Sequence, residues 1–397
     1  MPASAPARSP DQPLLIRVSG RDRPRVTADL LVLLASRGAR VEDLEQLVVR
    51  ERLTLDVLVR LDQAADSLIK DVLFWAHQQD FGVDFEWVES VSRRATLARH
   101  AVTVLGVVVS AAALAAVAEA IAGTGGNIDR IVRLATQPVV AYDFQVIVGA
   151  DDQMRRELVE VARSHAVDIA VQRGGLERRA KRLVVMDVDS TLITKEVIEL
   201  LAAEAGCGAE VTAVTARAMA GELDFASSLH ERVRLLAGLD VAAIERVRSR
   251  LRLTPGARTF VRTLQRMGCT VGIVSGGFTQ FTDWLQRELD LDHAHANTLE
   301  IIDGRLTGNL LGPIVDRARK AELLTQIAAE EQILLSQTVA IGDGANDLDM
   351  LAAAGLGIAF NAKPVVRAQA DTTVSVPRLD AILFMLGLRG DELVTGP

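Results

Sequence analysis

The sequence predicts an α/β protein: a doubly wound parallel sheet with a helical insert, preceded by two copies of a smaller βαββαβ unit. Three observations carry that expectation. Short, continuously apolar runs at Leu183–Met186, 270–274, 338–341 and 356–360 alternate with helical segments, as strands buried on both faces of a parallel sheet do. Three of those runs end abruptly in polar residues, and open α/β sheets bind their ligands beyond the carboxyl ends of the strands. Ahead of them the chain repeats itself, with Gly20 recurring 86 positions on as Gly106 and Gly38 recurring 87 positions on as Gly125.

Composition sets the class. A chain of 397 residues that is 49% apolar and 24% charged is a soluble globular chain of two or three domains. A net charge of −8 argues against a nucleic-acid surface. Cys207 and Cys269 lie 62 positions apart without a CxxC spacing, as expected of free thiols in a reducing cytoplasm. Residues 1–12, rich in Pro, Ala and Ser with no apolar stretch, read as a disordered tail and not a secretory signal. Residues 102–123 hold one formal charge, Glu119, but the β-branched run followed by an alanine-rich run reads as strand then helix, so no membrane span is expected.

In the first unit, residues 13–92, strands are expected at 14–18, 41–50, 53–60 and 83–91, with helices at 26–36 and 63–81. The second, 98–173, repeats the order: strands at 100–109, after 125–129, at 139–148 and at 168–171, helices at 111–122 and 154–164. Both are ferredoxin-like. The run Gly20-Arg21-Asp22-Arg23-Pro24, followed by Val26-Thr27 and Gly38-Ala39, resembles the first strand, loop and helix of the ACT family of amino-acid-binding regulatory modules. That resemblance implies a regulatory amino-acid ligand near Gly20, Asp22 and Gly106, and a homodimer built through these modules. The sequence departs from the family where Arg25 replaces the glycine after the proline, and where Val107-Val108-Val109 stand in the second copy.

A basic, glycine-containing stretch, 174–181, reads as a solvated linker. The catalytic half follows as a core, 182–194 and 253–397, interrupted by a helical cap, 195–252. Its chemistry is legible. Asp187 can attack phosphorus, and Asp189 can protonate the leaving oxygen and then deprotonate water. Such paired acids repel an anionic substrate, so Asp343, supported by Asp347, would join Asp187 and Asp189 in holding Mg²⁺, a hard cation suited to few carboxylates plus phosphate and water. Ser275 and the Gly276 amide can bind phosphoryl oxygens, and Lys320 supplies fixed positive charge.

The ordered set Asp-x-Asp-x-Thr, strand-Ser-Gly, Lys and Gly-Asp-x-x-x-Asp resembles the haloacid dehalogenase superfamily of phosphatases. Within it, Lys195-Glu196-Val197-Ile198-Glu199, Met219 and the run from Asp224 through Arg232 to Val233 resemble the cap of the phosphoserine phosphatases. That likeness implies that Glu196 meets the ammonium of O-phospho-L-serine, that Arg232 meets its carboxylate, that Met219 and Phe225 shield the reaction, and that Asn346 orients substrate. Two rivals stand beside this reading: a phosphatase of another small phosphomonoester or of a phosphoprotein, and an amino-acid-sensing regulatory protein without catalysis.

Overall fold

The computed structural model describes residues 12–61, 65–88, 98–149, 151–175, 178, 180–367, 369–370 and 372–395. The tail expected at residues 1–12 lies, but for Gln12, outside them. The chain forms two compact units, residues 1–96 and 97–397.

The first unit runs β1 (Leu14–Arg21), α1 (Val26–Ser36), β2 (Arg40–Val49), β3 (Arg52–Arg60), α2 (Asp66–Gln78) and β4 (Gly82–Trp87), in the sheet order β2-β3-β1-β4. Alternation decides which face is buried. Leu14, Ile16 and Val18 of β1 and Leu55, Val57 and Val59 of β3 pack in one core with Leu30 and Leu34 of α1 and Leu68 and Val72 of α2. Arg25 leads into α1 at φ 78°, a left-handed conformation that glycine adopts with least strain.

The second unit opens with the same plan: β5 (Ala98–Gly106), α3 (Ala111–Gly123), β6 (Asn127–Ala135), β7 (Val140–Val148), α4 (Asp151–His165) and β8 (Asp168–Arg173). Its sheet order, β6-β7-β5-β8, matches the first, so the repeat read from glycines is a repeat of topology. Gly38 and Gly125 both sit at positive φ, 67° and 73°, just past the first helix of each copy. The run considered for a membrane span divides between β5 and α3, and among the described residues no helix is long and apolar enough to cross a membrane.

The phosphatase-like core begins at β9 (Leu183–Met186). The cap follows as α5 (Val197–Ala205), α6 (Gly208–Met219), α7 (Phe225–Arg234) and α8 (Ala242–Arg250). Then come α9 (Ala257–Arg266), β10 (Thr270–Phe278), α10 (Thr279–Leu289), β11 (His293–Ile302), β12 (Arg305–Leu311), α11 (Arg317–Glu330), β13 (Thr338–Gly342), α12 (Leu348–Ala353), β14 (Gly357–Phe360) and β15 (Thr372–Val374). The seven-stranded sheet has the order β12-β11-β10-β9-β13-β14-β15, parallel except where β12 pairs antiparallel with β11. β9 is central and fully buried, which accounts for its unbroken apolar run.

The basic stretch before β9 is not wholly solvated. Arg178, its side chain 10% exposed, spans the join between the second βαββαβ sheet and the core, donating to Asp143 at 2.9 Å, Thr103 at 2.9 Å and the Met385 carbonyl at 3.2 Å. Gln172 donates to the same carbonyl at 2.7 Å, and the Ser375 amide donates to the buried Asp168 carboxylate at 2.7 Å.

Candidate active site

The polar residues that follow β9, β10 and β13 gather at one end of the sheet, on both sides of the point where the chain turns from one direction of winding to the other. Asp187 is the first residue past β9. Its amide donates to the Ile341 carbonyl of β13 at 2.9 Å, so the backbone of two adjacent strands fixes it. Lys320, fully buried on α11, donates to Asp187 at 2.7 Å and to Asp347 at 2.7 Å. Asp316 caps that helix by accepting from the Arg319 amide at 2.8 Å, which sets the register that aims Lys320 inward.

Carboxylate oxygens of Asp187, Asp343 and Asp347 lie within 4.8 Å of one another. This donor set of hard oxygens beside open space fits a divalent cation such as Mg²⁺. The expected set had Asp189 among the ligands and Asp347 behind them; the cluster contains Asp347 and not the Asp189 carboxylate. The reason is local. The strand ends at Met186, and Val188–Leu192 form a tight turn in which Ser190 has φ 60°, so Asp187 and Asp189 are not successive same-face residues of a strand. Asp189 instead accepts from the Val197 amide at 2.9 Å, at the start of the first cap helix.

The glycines of the site make room for side chains. A Cβ on Gly276 would stand 3.0 Å from the Phe225 ring of the cap, and one on Gly277 would stand 2.9 Å from Asp189. A Cβ on Gly342 would collide with Asp347 at 2.4 Å, and one on Gly344 with Asn346 at 2.1 Å. Ser275 accepts from the Gly277 amide at 2.8 Å, which leaves its own O–H to donate. Asn297 pins this loop, donating to the Gly276 carbonyl at 2.8 Å while accepting from the Val315 amide at 2.8 Å.

Between cap and core lies a cavity of about 470 Å³. Asp187, Asp189, Glu196, Phe225, Arg232, Gly276, Asp343 and Asn346 line it; Ser275 and Lys320 sit behind its wall. Asp224 caps α7 by accepting from Ser227 at 2.7 Å, and the helix then presents Phe225, Ser228, Leu229 and Arg232, one face at helical spacing, to the cavity. Met219 ends α6, and its side chain lies outside the described residues. Ser228 and Lys363 also line the cavity, and the sequence reading missed both. Lys363, just past β14, could have been found by the rule that placed the other residues at strand ends. Among the regulatory candidates, Gly20 has its side-chain space filled by Phe81, whose ring would lie 2.2 Å from a Cβ there. Asp22 is exposed, with its amide on the Glu51 carbonyl at 2.8 Å, and Gly106 ends β5.

Electrostatics follow from burying so many acids. Burial, then Glu196, pushes the Asp189 carboxyl up to about 7; burial, then Asp347, does the same to Asp343. Burial raises Asp187 too, with Lys320 pulling against it. For Lys320 burial opposes the charge, but Asp187 and Asp347 outweigh it and hold the ammonium above the ordinary lysine range. Glu196 is raised by burial and by Glu199, with Arg232 opposing, and Arg232 is lowered by its own burial.

Comparison with known proteins agrees with this geometry. Residues 184–352 match the family model of haloacid dehalogenase-like hydrolases, and 12–86 and 98–172 each match an ACT domain. The chain is 54% identical over 392 residues to a phosphoserine phosphatase of Streptomyces coelicolor, covering 96% of this chain and 93% of that one. It is 47% identical over 385 residues to phosphoserine phosphatase SerB2 of Mycobacterium tuberculosis, covering 96% and 94%. A solved structure described as a phospho-aspartyl intermediate analogue of phosphoserine phosphatase aligns at 42% identity and TM-score 0.50, over 52% of this chain and 98% of that one. Fold and site thus define a haloacid dehalogenase-like hydrolase of phosphoric monoesters, joined to two ACT domains. Within that class the chain belongs to the phosphoserine phosphatase family.

Proposed function

We propose that this enzyme hydrolyses O-phospho-L-serine to L-serine and phosphate, the last step of serine biosynthesis, through an aspartyl-phosphate on Asp187. One juxtaposition carries the reading: Glu196 and Arg232 share a cavity with Asp187 and Asp189. A carboxylate and a guanidinium fork suit the ammonium and carboxylate of an amino acid, and the aspartates suit its phosphate.

Asp187 attacks phosphorus as the bond to the serine oxygen breaks. Asp189, near pH 7 able to hold or release a proton, gives one to that oxygen. Water then attacks the aspartyl-phosphate, Asp189 takes its proton, and phosphate leaves with Asp187 restored. The Ser275 hydroxyl donates to a phosphoryl oxygen, and Lys320 balances the charge on Asp187. Asp187 and Asp343, with Asp347 tied back by Lys320, would hold Mg²⁺, which supplies positive charge to the phosphoryl oxygens when bound. The solved relative described as a phospho-aspartyl intermediate analogue supports the covalent route. The ACT domains support a homodimer in which L-serine acts as feedback effector.

The test is phosphate release from L-phosphoserine with Mg²⁺, comparing wild type, Asp187→Asn and EDTA-treated protein. Metal-dependent turnover lost in the variant is expected. Activity confined to an aryl phosphate would keep the hydrolase and discard the substrate.

A further inference from the structure

Two cations line the catalytic cavity, against the carboxylates of Asp187, Asp189, Glu196 and Asp343. Arg232 comes from the cap, on α7. Lys363 comes from the core, as the third residue past β14. Lys363 is exposed, and among the described residues it has no hydrogen-bond or ion-pair partner. Arg232 donates from Nε to the Ser228 carbonyl at 3.3 Å, and its two terminal nitrogens have no partner among the described residues. Both cationic heads are therefore open to an anion that enters the cavity.

Topology says which part of a substrate Lys363 meets. Asp187 follows β9 and Lys363 follows β14, with β13 between them. Neighbouring strands lie about 4.8 Å apart, so those two strand ends stand roughly 10 Å from each other. Charge agrees with that placement. Lys363 and Arg232 both pull the Glu196 carboxyl down against its burial, and Lys363 is not among the leading influences on Asp187, Asp189 or Asp343. Lys363 thus belongs to the Glu196 side of the cavity, whereas Ser275 and Lys320 serve the phosphoryl side.

An amino acid carries its ammonium and its carboxylate on one carbon. An ammonium on Glu196 puts the carboxylate beside it, within reach of a cation on that side. A carboxylate offers about four lone-pair sites and a guanidinium fork occupies two of them, so a second donor has room. We infer that Lys363 is a specificity-determining residue that grips the substrate carboxylate from the core while Arg232 grips it from the cap, so that the bound amino acid bridges the two. This rests on the phosphoserine reading of the site.

Release of L-serine from O-phospho-L-serine with Mg²⁺, by the full chain, tests it. O-phosphoethanolamine, which lacks only the carboxylate, serves as competitive inhibitor, and wild type is compared with Lys363→Met and Lys363→Arg. Lys363→Met should raise KM about five- to tenfold with kcat within about twofold, as a charged contact partly open to water would. The inhibition constant of phosphoethanolamine should stay level or fall, because the lost ammonium also repelled its ammonium. Lys363→Arg should recover most of the loss. An unchanged KM, a loss in kcat alone, or an inhibition constant that rises in step with KM overturns the inference; the last assigns Lys363 to the phosphate. A wild type that releases no serine overturns the phosphoserine reading itself, before any variant is compared.

Discussion

Replacing Lys320 by methionine exposes how the site is held together. The ammonium is fully buried, 2.7 Å from Asp187 and 2.7 Å from Asp347, and Asp343 lies in the same cluster. Methionine keeps the bulk and removes the charge, leaving buried carboxylates facing one another. Removing one member of a buried ion pair costs about 3–5 kcal/mol, and here one cation serves two anions, so the upper half of that range is expected in EDTA. The sign with pH follows. Burial already raises the Asp187 carboxyl, and without Lys320 to pull against it the folded-state pKa rises further above its unfolded value. Its contribution to stability is then present at low pH and lost as pH rises through that raised value. The variant should therefore lose most at pH 8 and least near pH 5, and Mg²⁺ should restore part of the loss by taking the place of the missing charge. Because the chain has two units, a bulk signal would mix their transitions. With Trp75 and Trp87 replaced by phenylalanine, Trp284 alone reports on the core during urea unfolding. A loss under about 1 kcal/mol at pH 8, or one equal at pH 5 and pH 8, would refute the reasoning.

Arg232→Lys should raise KM for phosphoserine about 10- to 100-fold, the ~1.5–3 kcal/mol of a hydrogen bond to a charged group, and leave an uncharged aryl phosphate unaffected; equal losses on both substrates would contradict the role. Gly276→Ala drives a Cβ to 3.0 Å from the Phe225 ring, an overpacking of about 1–3 kcal/mol that should lower kcat/KM, and Phe225→Leu in the same chain should recover most of it. Arg25→Gly relieves a residue at φ 78° and should raise the stability of the first unit by up to about 1 kcal/mol, read from its own tryptophans on unfolding. Burial raises the Asp168 carboxyl above its ordinary 3.8 despite the Ser375 amide. Its share of stability is complete below 3.8 and fades as pH climbs through the raised value, so Asp168→Asn should flatten that part of the wild-type profile, and a steeper profile would contradict it.

Much of this was readable in advance, and what escaped has physical causes. β9 announced itself because a strand buried on both faces has no polar residue to blur its ends. The duplication was visible because Gly38 and Gly125 fill the same left-handed position. The β11–β12 hairpin went unread although Asp303-Gly304, at φ 50° and 74°, is a strong signal for a tight turn between strands; as an antiparallel pair at the edge of a parallel sheet, it breaks the alternation of strand and helix that marks the rest. β15 has three residues, too few for any periodicity. Within the site, residue types and order gave Asp187, Ser275, Lys320 and Asp343, but not which carboxylates converge. That depends on the turn at Val188–Leu192, where Ser190 takes a positive φ that its residue type does not favour. Arg178 was read as solvated because the five basic residues between positions 172 and 182 form a charge run of the kind that usually faces water; only tertiary structure brings Asp143 and Met385 to it.

The position of Asp189 ties these threads together. Were β9 to run on as a strand past Met186, Asp189 would be a second carboxylate beside the first, pointing the same way and competing for the same cation. In the structure the turn swings it toward the cap, where the Val197 amide at 2.9 Å holds one oxygen, while the missing side chain of Gly277 leaves space for the other. Burial and Glu196 bring its carboxyl up to about 7, whereas its neighbour Asp187 is paired with a fixed ammonium. Two acids two residues apart thus acquire different surroundings, one paired with a cation and one poised to exchange a proton, and nucleophile and general acid require that division. The residue that makes it possible is not an acid at all: Ser190, turned to φ 60°, redirects the chain between them and the cap.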